Sequence, residues 1–83
     1  MIRLLYFASL REALGCDGED YPLETPVSLA ELRVQLASRD QPWCDALAPE
    51  QPLLAAINQQ VVSAEARIHP GDEVAFFPPV TGG

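Results

Sequence analysis

Eight prolines punctuate this chain of 83 residues, and they constrain its fold more than any other feature. Proline donates no backbone hydrogen bond, so it is expelled from helix interiors and central strands. Pro22, Pro26, Pro42, Pro49, Pro52, Pro70, Pro78 and Pro79 each stand where an element should begin or end, and none interrupts a periodic run. What lies between them must be a set of short elements.

Ile2 to Phe7 reads as a strand, apolar and free of breakers. Ser9-Leu10-Arg11-Glu12 has the spacing of a capping box, predicting a short helix from Leu10 to Leu14 that Gly15 ends in a left-handed cap. The acidic stretch Asp17-Gly18-Glu19-Asp20 is expected to be a solvated turn. A short strand from Tyr21 to Glu24 follows, marked as an edge by Pro22. Ser28-Leu29-Ala30-Glu31 is a second capping box, with Val27 and Leu32 placed as a hydrophobic staple. The helix it opens, Leu29 to about Ser38, carries Leu29, Leu32 and Leu36 on one stripe and Glu31, Gln35 and Ser38 opposite.

Pro42 is expected to open a short helix through Leu47, with Pro49 stopping it and Trp43 anchoring it to the core. Leu53 to Ile57 reads as a buried strand, Asn58-Gln59-Gln60 as a tight turn into Val61-Val62, and Ala64 to Ile68 as a connection. His69-Pro70-Gly71-Asp72 places Pro and Gly at the centre of a type II turn. Glu73 to Phe77 is the last strand. One amphipathic helix of about three turns crossing a mixed sheet describes an α+β chain of β-grasp, or ubiquitin-like, architecture. The expected organisation is a β-grasp domain over residues 1–78 and an extended, flexible Gly-Gly tail over 79–83. The first and last strands are the most apolar, which suits parallel neighbours at the sheet centre.

Alternation along those strands raises a difficulty. Ile2, Leu4 and Tyr6 share one face with Val74 and Phe76, whereas Leu5 and Phe7 share the other with Ala75 and Phe77. One long helix covers one face. The second, with Val61 added, is either covered by the Trp43 segment or left for a protein partner.

Charge and composition narrow the partners. Five basic residues, all Arg, against twelve acidic ones give a net charge of −7. Such a surface repels phosphate backbones and anionic lipid, so the expectation is no nucleic acid, no membrane, and a basic protein partner. The N-terminus lacks the length and cleavage site of a secretory signal, and Cys16 and Cys44 stand apart without ligand spacing. A cytoplasmic chain with reduced thiols and no metal is expected.

Catalytic constellations are nearly absent. His69 precedes a tight turn, Ser9 and Ser28 read as caps, and no glycine loop cradles phosphate. That leaves the tail. Pro78-Pro79 directs the chain out of the sheet, and two residues without side chains then carry the terminal carboxylate. Such a tail can thread a narrow tunnel in another protein, with no Cβ to block approach to its last carbonyl carbon.

The run Asp72-Glu73-Val74-Ala75-Phe76-Phe77-Pro78-Pro79-Val80-Thr81-Gly82-Gly83 resembles the C-terminal signature of the molybdopterin synthase small-subunit family. Phe7, Arg11-Glu12 and Leu53-Leu54-Ala55-Ala56-Ile57-Asn58-Gln59 extend the resemblance along the chain. The resemblance implies a sulfur carrier with no bound cofactor of its own. A ubiquitin-activating-type adenylyltransferase would use ATP and Mg²⁺ to adenylate Gly83, and a sulfur donor protein would supply the atom that turns it into a thiocarboxylate. The large synthase subunit would receive the tail and pass the sulfur to cyclic pyranopterin monophosphate, in a symmetric dimer of pairs. Gly82, Thr81, Val80 and Pro79 would dock with the tail. Phe7, Val61 and Phe77 would face the large subunit, joined by Leu5 from the uncovered face that strand alternation leaves, and Arg11 would face the activating enzyme. A sulfur carrier for thiamine or tRNA thiolation, and a ubiquitin-like protein modifier, remain alternatives on the tail alone. The Phe-Phe-Pro-Pro-Val run and the segment from Asp40 to Pro52 weigh against the thiamine carriers.

Overall fold

The computed structural model describes residues 1–79. Its centre is the parallel pair β1 (Ile2–Tyr6) and β7 (Glu73–Phe77), with Leu4 opposite Val74 and Tyr6 opposite Phe76. β2 (Gly18–Tyr21) pairs antiparallel with β1. β4 (Leu54–Ile57) and then β5 (Gln60–Val62) extend the other side, giving the order β2-β1-β7-β4-β5. A two-stranded sheet joins β3 (Val27–Ser28) to β6 (Arg67–Ile68). The helices are α1 (Ala8–Leu14), α2 (Leu29–Ala37) and α3 (Trp43–Ala46).

The second capping box forms as its sequence requires. Ser28 Oγ accepts from the Glu31 N–H at 3.1 Å, and Glu31 Oε1 accepts from the Ser28 N–H at 3.3 Å. Leu29, Leu32 and Leu36 are buried from the helix that follows. Three leucines supply roughly 6 kcal/mol of gross burial, far more than propensity gives so short a helix. They pack with Leu4, Tyr6, Val74 and Phe76 from the sheet and with Leu47 and Ile68. This is a β-grasp fold with one main crossing helix.

Four local readings are corrected. Ser9 does not cap α1. Phe7 stays extended and its N–H continues to Phe76 O at 3.2 Å, while its own carbonyl accepts from the Arg11 N–H at 3.3 Å. Helical bonding thus starts at Phe7, which puts Ser9 inside the helix instead of at its extended entry. Gly15 does close that helix, at φ 74°, donating its N–H to Arg11 O. The acidic stretch is the edge strand itself, Gly18–Tyr21, because Glu19 and Asp20 find ionic partners there. Gly18 is needed in that strand, since a Cβ would stand 2.6 Å from the Leu4 carbonyl oxygen. Part of the Ala64–Ile68 connection pairs as β6. Pro42 is the residue before α3, not its first.

A polar knot closes the core at the β2 edge. The buried Tyr6 hydroxyl donates to Glu19 Oε2 at 3.0 Å, and Arg39 donates to both Glu19 oxygens at 2.9 Å. The Arg39 guanidinium lies over the Trp43 ring at 4.4 Å, and Trp43 meets Tyr6 edge-on at 5.4 Å. Burial, reinforced by Glu19, pushes the Tyr6 phenol well above its ordinary range. The Arg39 hydrogen bonds hold Glu19 below the usual carboxylate range against an opposing desolvation effect, with Tyr6 adding to them.

Candidate functional site: an open sheet face beside the root of the tail

Strand registers decide which residues share a face. Leu5 stands opposite Ala75, Ala75 opposite Ala56, and Ala56 opposite Val61. Leu54 stands opposite Phe77, and Phe7 continues the extended chain after Tyr6. These residues form two rows on the side of the sheet away from Leu4, Tyr6, Val74 and Phe76. Val61 is 67% exposed, Phe7 44% and Leu54 42%, while Leu5 and Phe77 are half-buried.

Trp43 does not cover this face. It packs on Tyr6, whose side chain is on the opposite side. The segment that follows α3 is fastened to α2 by Arg33. The Arg33 guanidinium donates to the carbonyls of Leu47 at 3.0 Å and Gln51 at 2.7 Å, and also to that of Ala48. The Ala48 carbonyl also accepts from the Gln51 N–H at 2.9 Å, so one guanidinium and one backbone turn hold this segment together. Loss of solvation lowers the Arg33 pKa from its ordinary value.

The site residues expected from the sequence thus divide. Leu5, Phe7, Val61 and Phe77 come together on one open apolar surface. Arg11 does not join the rows; it is an exposed residue of α1 with no ion-pair partner among the described residues. Pro79 is half-buried at the point where the chain leaves β7, whereas Val80, Thr81, Gly82 and Gly83 lie outside the described residues. Leu54 is an addition that sequence reading passed over, though alternation along Leu54-Ala55-Ala56 opposite Phe77 carries the signal.

Asp72 has a structural role. Asp72 accepts from the His69 backbone N–H at 2.9 Å and from the Asn58 amide at 3.1 Å, fixing the turn that launches β7. Gly71 has φ 93°, the left-handed value that a type II turn requires at this place. Cys16 and Cys44 are half-buried free thiols. Among the described residues no three His, Cys, Asp or Glu side chains are grouped to hold a metal, and no helix is long and apolar enough to cross a membrane.

A ThiS family model matches residues 4–83. The molybdopterin synthase sulfur carrier subunit of Escherichia coli K12 is 45% identical over 83 residues, covering all of both chains. The crystal structure of SAMP1 from Haloferax volcanii superposes with a TM-score of 0.76 at 21% identity, covering 99% of this chain and 98% of that one. A Helicobacter pylori structure, a complex of subunits 1 and 2 of molybdopterin-converting factor, matches with a TM-score of 0.65 at 20% identity, covering 99% and 97%. The two structures share the fold. With a family match from residue 4 to the last residue and a relative aligned end to end, the chain belongs to the ThiS family, together with the molybdopterin synthase sulfur carrier subunits.

Proposed function

We propose that the chain is the sulfur-carrier subunit of a molybdopterin synthase, with the carboxyl carbon of Gly83 as its one reactive centre. The observation that carries this reading is the uncovered sheet face of Phe7, Leu54, Phe77 and Val61 beside Pro78 and Pro79. A folded handle with an adhesive apolar face, placed where its own terminus departs, is suited to deliver that terminus into another protein. The charge of −7 favours a basic receiving surface.

A carboxylate is a poor electrophile, so it requires activation. One Gly83 oxygen attacks the α-phosphorus of ATP on an activating adenylyltransferase that holds Mg²⁺, and pyrophosphate leaves. Hydrosulfide released by a donor protein then attacks the acyl carbon, AMP leaves with the C–O bond electrons, the proton on sulfur is lost, and the terminus becomes a thiocarboxylate. The large subunit buries the open face and admits Pro79, Val80, Thr81 and Gly82, so that the sulfur bonds to the pterin; water then attacks the acyl carbon, the C–S bond breaks, the sulfur stays on the pterin and the carboxylate is restored. Gly82 and Gly83 keep the path clear because neither has a side chain. Arg11, exposed on α1, contributes to docking on the activating enzyme.

Deleting Gly83 tests the reading. In a reconstituted synthesis with the cognate partners, the truncated chain keeps its fold and its affinity for the large subunit but yields no molybdopterin. Product formation at the normal rate would refute the terminal-carboxylate mechanism.

A further inference from the structure

The open face is one flank of the tail root; the other flank is a cleft of about 550 Å³. Leu10 and Ala13 of α1 form one wall, and Ala46 of α3 with Pro52 and Leu53 forms another. Pro78 and Pro79, the last residues the structure describes, complete the lining, so the cleft adjoins the root of the tail. The segment that leads into this wall is held by Arg33 through the carbonyls of residues 47, 48 and 51 and by the buried Leu47. Asp45 is the one ionisable residue of its lining among the described residues.

We propose that this cleft is a second docking point for the protein that receives the tail, taking an apolar side chain flanked by a basic one. The inference rests on the sulfur-carrier reading, in which the large subunit receives residues 79–82. Four residues follow Pro79, too few to span more than about 14 Å fully extended. A partner that holds Gly83 must therefore approach the tail root closely, and its rim comes within reach of both flanks. The sheet side meets it with Phe7 and Phe77, the helical side with this cleft. An apolar side chain seated against Leu10, Leu53 and Pro79 removes hydrocarbon from water, and a neighbouring Lys or Arg matches Asp45 and the acidic surface. Two contacts on either side of the tail fix its direction of entry, which one flat apolar face does not.

The test uses the full-length chain and its cognate large subunit, with affinity measured by calorimetry. Ala13 is an exposed helical position, so Ala13→Glu and Ala13→Trp leave the thermal melt unchanged while placing charge or bulk in the cleft. Each is expected to weaken the complex at least about tenfold, whereas Ala13→Ser binds normally. Asp45→Asn is expected to weaken it about threefold at low salt and to lose that difference at high salt. Should both large Ala13 variants bind within twofold of the parent while Phe77→Asp abolishes binding, the cleft is no docking point and the sulfur-carrier reading stands. If the parent chain itself fails to bind the large subunit, both fall. A change in the mass of the free chain by sedimentation, with partner affinity unaltered, would assign the cleft to a second copy and overturn the proposal.

Discussion

Glu19→Ala removes three hydrogen bonds at once. Tyr6 loses its acceptor at 3.0 Å, and Arg39 loses both carboxylate oxygens at 2.9 Å. Tyr6 is fully buried, so its hydroxyl is stranded at a cost of about 1–3 kcal/mol. The Arg39–Glu19 pair leaves 33% and 25% of its side-chain surfaces exposed. Water screens it to that extent, and its loss adds about 1 kcal/mol. The sum, about 2–4 kcal/mol, is a large part of the roughly 4–12 kcal/mol available to a domain of this size. Trp43 is the only tryptophan and lies against both Arg39 and Tyr6, so its fluorescence in urea reports the transition directly. Glu19→Gln keeps an acceptor for Tyr6 without the charge and is expected to recover about half the loss. A Glu19→Ala midpoint within about 0.5 kcal/mol of the parent would refute this account of the knot.

The pH dependence of that knot has a definite sign. Unfolded Glu19 takes up its proton near about pH 4.3, while the folded residue, held by Arg39 and Tyr6, does so only at lower pH. Between the two the unfolded chain binds more protons, so the contribution of Glu19 is complete above that window and is lost as pH falls through it. At the alkaline end unfolded Tyr6 ionises near about pH 10. The folded phenol resists ionisation, so stability declines as pH rises above that value. Urea midpoints across pH should show both limbs, and Glu19→Gln should flatten the acid one.

Two further outcomes are expected. Phe77→Asp should weaken binding to the large subunit by more than about tenfold while shifting the melting temperature little; a collapsed fold with normal affinity in the folded fraction would place Phe77 in the core instead. Asn58 and Gln59 occupy left-handed backbone at φ 49° and 71° in the β4–β5 turn, where Asn-Gly is the favoured pair. Gln59→Gly should therefore raise stability by about 0.5–1 kcal/mol, and a lowered urea midpoint would contradict that reading of the turn.

The elements that were legible in the sequence are those in which one local signal and the tertiary environment agree. The α2 helix is such a case: its capping box, its staple and its leucine stripe point the same way. The β1 and β7 strands are another, since alternation and apolar content both suit a central parallel pair. Elements were misread where a distant partner overrides the local signal. Ser9 and Glu12 have box spacing, but β1 bonds onward through Phe7 and leaves no extended cap at Ser9. Gly18-Glu19-Asp20 looks like a turn because nothing local reveals Arg39, twenty residues away, or the Tyr6 hydroxyl. β6 has two residues, too few for any period. The open face was legible as a surplus of apolar groups over one helix, yet the side taken by Trp43 required the structure, because its ring is held by Arg39 and by Tyr6, which is far away in the sequence. The partners of the tail came from resemblance alone, because glycine carries no chemistry beyond its backbone.

The central claim concerns one atom, and intact mass reads it directly. The full-length chain is incubated with its cognate activating enzyme, ATP, Mg²⁺ and a sulfur donor, and its mass is recorded before and after. The account predicts exchange of one terminal oxygen for sulfur, dependent on ATP and absent from the chain lacking Gly83. An unchanged mass with active partners would contradict it, and a mass increased by a second polypeptide would make the chain a protein modifier instead.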